Sequence, residues 1–353
     1  MQENRIFDKN MSIMIKGVAI ILMLFHHFFG FPDWIIEGNM FIGLGDNYNC
    51  VERKIGLFGA ICVELFVFIT GYGSYYIKKN SYKNIIKKIL SFLLNYWIIL
   101  FLFFLPMGYI LEQKKIGSLE LIKNMFGYDI TVVKFAWYVR FYLALQLLFP
   151  ILLYITKLPP FMSVLSAIVP FGCINYILYF LGLDSRTIVS YIIEFNSYVP
   201  VFFVGYFIAQ YRIFDKVDKK IKEWNMNNIC IYLIALFLIY YLRGRLITYF
   251  PNYNPDWIFA PLLIFTCTEL IKKVNCVFIE KSLSLIGKHS ANLWYIHGIF
   301  FYVDKIQFIL YLPKISVLIL VWSLVIMIPI SLLYEYLDKT IEKFIRNRKI
   351  INI

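Results

Sequence analysis

Apolar windows of about twenty residues recur along this chain, near 12–31, 55–77, 85–106, 135–155, 161–182, 187–209, 228–248, 256–272, 283–303 and 314–335. A helix rises about 1.5 Å per residue, so each window is long enough, or nearly so, to cross a hydrocarbon core of about 30 Å. Inside that core every backbone N–H and C=O has to be satisfied within the chain, which leaves the helix as the spanning element here. Composition agrees: 60% of the 353 residues are apolar and 16% are charged, where a soluble domain carries about a quarter charged residues. The expected fold is all-α, a polytopic membrane helix bundle of about ten transmembrane helices. Two windows are weaker than the rest. The eighth is short and opens at Asn254-Pro255-Asp256, and the ninth carries Lys288 and His289 near its start. Met1 to Met11 is polar and no small-residue cleavage site follows the first apolar run, so that run is expected to remain as a span.

Lys and Arg set the orientation. One set of alternate connections holds Lys78, Lys79 and Lys83, then Lys157, then Arg212, Lys216, Lys219, Lys220 and Lys222, then Lys272, Lys273 and Lys281. The tail adds Lys339, Lys343, Arg346, Arg348 and Lys349, while the other connections are richer in Asp and Glu. Cations stay on the cytoplasmic side, so both termini are expected there. Residues 1–338 read as the membrane domain and 339–353 as a cytoplasmic basic tail, with Leu333, Tyr336, Leu337, Ile341, Phe344 and Ile345 at the spacing of an interfacial helix. The net charge of +13 is thereby a topology signal that calls for membrane lipid as a partner and gives no reason to invoke nucleic acid. Six Cys lie scattered without a CxxC, and the four His show no metal-like spacing, so no metal is expected.

Ionisable groups at membrane depth are costly and normally face a protein interior or a wet cavity. From Lys16 to His27 the first window climbs roughly 16 Å, which places the imidazoles of His26 and His27 well inside the core. Glu64 sits in the second window among aliphatic and aromatic residues, and needs a partner within the bundle. Lys83, Lys87 and Lys88, with Lys78 and Lys79, crowd the start of the third window; they read either as a positive-inside loop or as a phosphate-binding rim. Trp137 and Tyr138 suit an interfacial aromatic belt, and Arg140 lies deeper, needing an anion or a snorkelling path. Pro170 and Gly172 are expected to break the fifth span, and Glu194, Asn196 and Pro200 the sixth. Arg243 and Arg245 read as rim charges at the outer side. His289 is expected to be solvated near the start of the ninth window, whereas His297 is buried, as a second-site candidate or a helix-packing residue.

Four of these stretches, in this order, resemble the acyltransferase-3 family of integral membrane acyltransferases. Lys16-Gly17-Val18-Ala19 through His27 is similar to the family's first-helix signature, a basic residue with a His eleven positions on. Val63-Glu64-Leu65-Phe66-Val67-Phe68-Ile69-Thr70-Gly71-Tyr72 is similar to its second-helix motif, Trp137-Tyr138 to Pro150 to its fourth-helix pattern, and Ser290 to His297 to its late-helix pattern. Lys16 stands where the signature usually has Arg, keeping the charge without the bidentate fork. Thr70 stands for the usual Ser, and Lys83, Lys87 and Lys88 stand for an Arg-rich loop.

The resemblance implies transfer of an acyl group, taken as acetyl, from cytoplasmic acyl-coenzyme A to a hydroxyl of a cell-surface glycan, in the cell membrane. On the family's spacing His27 is the base, either deprotonating the acceptor hydroxyl or briefly carrying the acyl group, with His26 its competitor, because adjacent helix positions point about 100° apart. Glu64 is expected to orient the imidazole or hold its proton. Lys16, Lys83, Lys87, Lys88, Arg140 and Trp137 are the expected acyl-coenzyme A contacts, the donor being a substrate and not a resident cofactor. A different class remains open on the residues alone: a transporter or flippase for lipid-linked glycan, in which the buried charges line a path. A glycan polymerase or ligase is a third reading, weakened by the absence of a large outer loop.

Overall fold

The structure is a computed structural model describing residues 5–44, 50–77, 82–185, 187–225, 228–250 and 253–347, without the side chains of 338 and 341–347. In chain order the helices are α1 Lys9–Phe29, α2 Val51–Phe58, α3 Cys62–Tyr75, α4 Tyr82–Ile99, α5 Leu105–Glu112, α6 Ser118–Met125, α7 Trp137–Leu152 and α8 Pro160–Phe180. They continue as α9 Thr187–Gln210, α10 Ile213–Glu223, α11 Ile229–Tyr249, α12 Asp256–Val274, α13 Val277–Lys288, α14 Ser290–Tyr302, α15 Asp304–Tyr311 and α16 Ser316–Asn347. Among the described residues there is no strand, only an isolated bridge between Ile42 and Ile315. The protein is an all-α polytopic bundle.

Among the described residues, eight stretches are long and apolar enough to cross a membrane: Lys9–Phe29, Val51–Tyr75, Tyr82–Glu112, Trp137–Lys157, Pro160–Phe180, Thr187–Gln210, Ile229–Tyr249 and Ser316–Leu337. They coincide with eight of the ten windows; the two weaker windows account for the difference. The eighth window is α12, which carries Asp256, Glu269, Lys272 and Lys273 and is too polar to count by composition. The ninth is divided at His289 into α13 and α14, each shorter than a bilayer needs. Tyr82–Glu112 is continuous through a π turn at Leu100–Phe104.

Two compact units are present. The first comprises Met1–Ala19, Ala60–Lys78 and Leu148–Lys288. Its centre is the packing of α3 on α9, with α8, α10 and α12 also on α9 and α11 on α12. Gly71 and Gly205 sit where the α3 and α9 backbones approach most closely: a Cβ on either would run into the facing carbonyl of Phe202 or Phe68. Contrary to expectation, neither α8 nor α9 is broken. Pro170 and Pro200 lie inside unbroken helices, since a span tolerates one lost backbone bond when neighbouring groups can re-satisfy it.

The second unit comprises Ile20–Gly59, Lys79–Leu147 and His289–Ile353, with α14 packed on α16, α15 and α4. The 107–134 connection contains all of α6 and the end of α5. Tyr96 Oη and Trp97 Nε1 on α4 donate to the carbonyls of Asn124 and Met125, each at 2.9 Å, and hold α6 in place. The expected interfacial helix is the continuation of α16, which runs past Leu337 to Asn347 without a break. Lys78, Lys79, Arg348 and Lys349 lie outside the described residues, as do the side chains of Lys343 and Arg346.

Candidate active site

In the second unit the end of α1, the end of α2 and the end of α14 converge on three imidazoles. Helices can meet this closely because Gly56 has no Cβ; one built there would lie 2.7 Å from Gly30 N and 2.8 Å from the Phe25 carbonyl. The same approach puts the Gly56 carbonyl 2.9 Å from His26 Nδ1. A carbonyl only accepts, so Nδ1 carries the proton.

His27 lies on the adjacent face of α1. Its Nδ1 is 3.0 Å from the Tyr302 hydroxyl at the end of α14, and its ring centroid is 5.1 Å from His26 and 4.7 Å from His297. His27 is partly exposed. His297 is fully buried; its Nδ1 donates to the Trp294 carbonyl one turn back, and its Nε2 has no hydrogen-bond partner among the described residues. Phe135 closes over His297 at 5.0 Å between centroids, in space that exists because position 298 is Gly.

Aromatic rings wall the cluster. Phe31 meets His26 at 5.0 Å and stacks on Trp34 at 4.4 Å, while Phe301 and Tyr302 flank His27. Lys134 Nζ lies 5.2 Å from the Tyr302 ring and 5.8 Å from that of Trp34, within reach of a cation–π attraction. Buried Gln307 fixes the turn after α1: its Nε2 donates to the carbonyls of Trp34 and Phe301, and its Oε1 accepts from Ile36 N. The arrangement offers three imidazoles, two of them donating through Nδ1 to a backbone carbonyl, in an aromatic surround. Such rings are equipped to take and return a proton.

The remaining expected residues are placed as follows. Lys83 and Lys87 are exposed and Lys88 is half-buried on the first two turns of α4, where no acidic residue occupies the first turn. Arg140 donates to the Gly127 carbonyl at 2.7 Å and so braces the turn after α6; Trp137 sits edge-on to Tyr138. His289, expected in solvent, is buried and bonded through Nδ1 to Ser331 Oγ on α16 at 2.9 Å. A polar ring at a helix break finds its partner in the neighbouring helix more cheaply than it reaches water.

Lys16 belongs to the first unit and is half-buried on α1. Glu64 belongs there too, 5% exposed; its Oε1 accepts from Asn254 Nδ2 at 3.0 Å, and its Oε2 has no partner among the described residues. Asn254 Oδ1 in turn accepts from Asp256 N at 2.9 Å. Arg243 was expected as a rim charge and is instead buried, donating through Nε and a terminal nitrogen to the two Asp256 oxygens at 2.7 Å each. The fork satisfies both charges where water cannot. Arg245 keeps an exposed position against Tyr241.

Tyr302, Lys134 and Gly56 were not singled out from the sequence. Tyr302 ends the same helix that carries His297, and a hydroxyl one turn and a residue beyond a buried His was a usable signal. Lys134 and Gly56 carry none, since only the folded chain brings them to the imidazoles. Against known proteins, neither a curated protein nor a solved structure matches the chain. A family model described as an acyltransferase domain matches residues 13–336, nearly the whole length and all four of the stretches quoted above. The chain therefore belongs to the acyltransferase-3 family, and is a multi-pass membrane O-acyltransferase.

Proposed function

We propose that this enzyme moves an acetyl group from cytoplasmic acetyl-coenzyme A to a hydroxyl of an extracytoplasmic cell-surface glycan, in the cell membrane. The observation that carries the reading is the pairing of His27 with Tyr302 inside a cluster of three imidazoles. When His27 Nδ1–H donates to the Tyr302 oxygen, Nε2 holds the lone pair and takes the proton of the acceptor hydroxyl. The freed oxygen attacks the thioester carbonyl, the new C–O bond forms, the C–S bond breaks, and the imidazolium returns its proton to the departing thiolate. His26, with Nδ1 tied to Gly56, is the alternative base; His297 Nε2 has no partner among the described residues.

For the donor, Lys83, Lys87 and Lys88 add positive charge to the N-terminus of α4, which is already the positive end of the helix dipole. That combination is unfavourable unless an anion sits there, and the coenzyme's phosphates supply one. Arg140 and Trp137 complete the proposed donor contacts of this unit, with Arg140 sharing its guanidinium with the Gly127 carbonyl.

Mass spectrometry of envelope glycan from cells with and without the protein tests the reading. Acetyl groups should be present with the wild type and absent both without the protein and with His27→Ala. Identical acetylation in all three would remove the proposed reaction.

A further inference from the structure

Within the first unit a cleft of about 340 Å³ opens between the C-terminal half of α8, the middle of α9, the end of α11 and the start of α12. That volume lies within the usual range for small-molecule sites. Its lining contains no Lys, Arg, Asp or Glu among the described residues. A phosphorylated or carboxylated ligand would have no counter-charge there, which sets the coenzyme donor aside.

One wall is a ladder of amides. Asn196 Nδ2 donates to Asn175 Oδ1 at 3.0 Å, and Asn175 Nδ2 donates to Ser197 Oγ at 3.2 Å and to the Ile193 carbonyl at 3.1 Å. Asn196 and Asn175 are 6% and 7% exposed, so these groups are fixed and largely desolvated. Asn196 Oδ1 is left without a hydrogen bond among the described residues. Pro200 also lines the cleft; lacking an N–H, it leaves the Asn196 backbone carbonyl without its usual helical donor. Asn196 thus brings two acceptors without a donor to the residues that line the cleft.

The opposite wall is aromatic. Trp257 Nε1 donates to Tyr253 Oη at 2.7 Å, joining the two rings into one platform, with Tyr249 and Tyr176 beside it. Flat rings pack against C–H groups, while amides and hydroxyls serve ligand groups that both donate and accept. A hydrocarbon tail would leave the acceptors unsatisfied, and a buried polar group without a partner is costly. A ring with C–H faces and a rim of hydroxyls satisfies both walls.

We infer that this cleft binds a neutral sugar unit, stacked on Trp257 and Tyr253 and donating hydroxyl hydrogens to Asn196. The orientation expected from the Lys and Arg distribution puts this end of the four helices on the extracytoplasmic side. That the bound sugar is part of the acylated glycan rests on the reaction proposed above; the binding itself does not.

The test uses the full chain in lipid nanodiscs with methyl glycosides of glucose, galactose and N-acetylglucosamine as probes, glucuronic acid and a fatty acid as rivals, and saturation-transfer NMR as readout. At least one neutral glycoside should bind, and Tyr253→Ala and Asn196→Leu should each weaken it at least tenfold while acetyl-coenzyme A binding stays unchanged. Trp257→Phe keeps a ring and the fold, and should weaken binding less. Binding of the fatty acid or glucuronic acid in place of every neutral glycoside, or glycoside binding untouched by all three variants, overturns the inference. Sugar binding lost in the variants of a protein that transfers no acetyl group sinks the reaction and leaves the site. Transfer with an unchanged acceptor KM in all three variants sinks the site and leaves the reaction.

Discussion

At His27 the chemistry depends on which ring nitrogen stays bare, and Tyr302 is the group bonded to Nδ1. Tyr302→Phe removes a single oxygen at a half-buried position, so the fold should survive. A hydrogen bond worth about 1.4 kcal/mol corresponds to a tenfold rate. Acetyl transfer by Tyr302→Phe should therefore fall about tenfold with an unchanged melting temperature, measured on the purified protein; an unchanged rate would leave the Tyr302 contact without a catalytic role. The imidazoles themselves were legible in the sequence because a charged or polar ring in a greasy run has few bland explanations. Their partners were not, since Tyr302 lies 275 positions from His27 and a backbone carbonyl such as that of Gly56 has no sequence signature. Arg243 was misread for the same reason: its distance from the end of the seventh window suggested the rim, and nothing in the window revealed the Asp256 carboxylate facing it.

Among the elements, the boundaries of eight spans could be read from apolar length alone, because a hydrocarbon core imposes that length on any helix crossing it. The same rule failed where polar groups are satisfied inside the bundle. In α12 the Asp256 carboxylate that makes the helix look too polar is neutralised by Arg243 of α11, at side-chain exposures of 6% and 3%. Removing one member of a buried pair strands the other, at about 3–5 kcal/mol. Arg243→Met and Asp256→Leu should each lower thermal stability in detergent by an amount of that order, and the double variant should recover much of the loss. Additive losses in the double variant would show that the two charges act separately. At α4 the opposite imbalance holds, with cations on a positive helix end. Replacing Lys83, Lys87 and Lys88 by Gln should raise the KM for acetyl-coenzyme A about tenfold with kcat nearly constant, the signature of lost uniform binding; a fall in kcat with KM unchanged would move the donor phosphates elsewhere.

For the whole molecule, fold class and family followed from the sequence because both depend on patterns spread along the chain: apolar length, the side on which cations collect, and four short stretches in order. The division of the chain into two units did not, since each unit gathers three separated segments and no composition shift marks their edges. The sugar cleft was equally invisible, for its walls come from four helices that are individually unremarkable in composition. What binds these levels is the claim that one membrane-embedded imidazole, on α1, carries the proton during acyl transfer. The most direct measurement is acetyl transfer from labelled acetyl-coenzyme A by purified protein in vesicles loaded with envelope glycan, comparing wild type with His27→Ala. General-base catalysis contributes about 10²–10⁴-fold, so the variant should lose at least a hundredfold in kcat while still binding the donor. A His27→Ala enzyme that transfers acetyl at the wild-type rate would contradict the account.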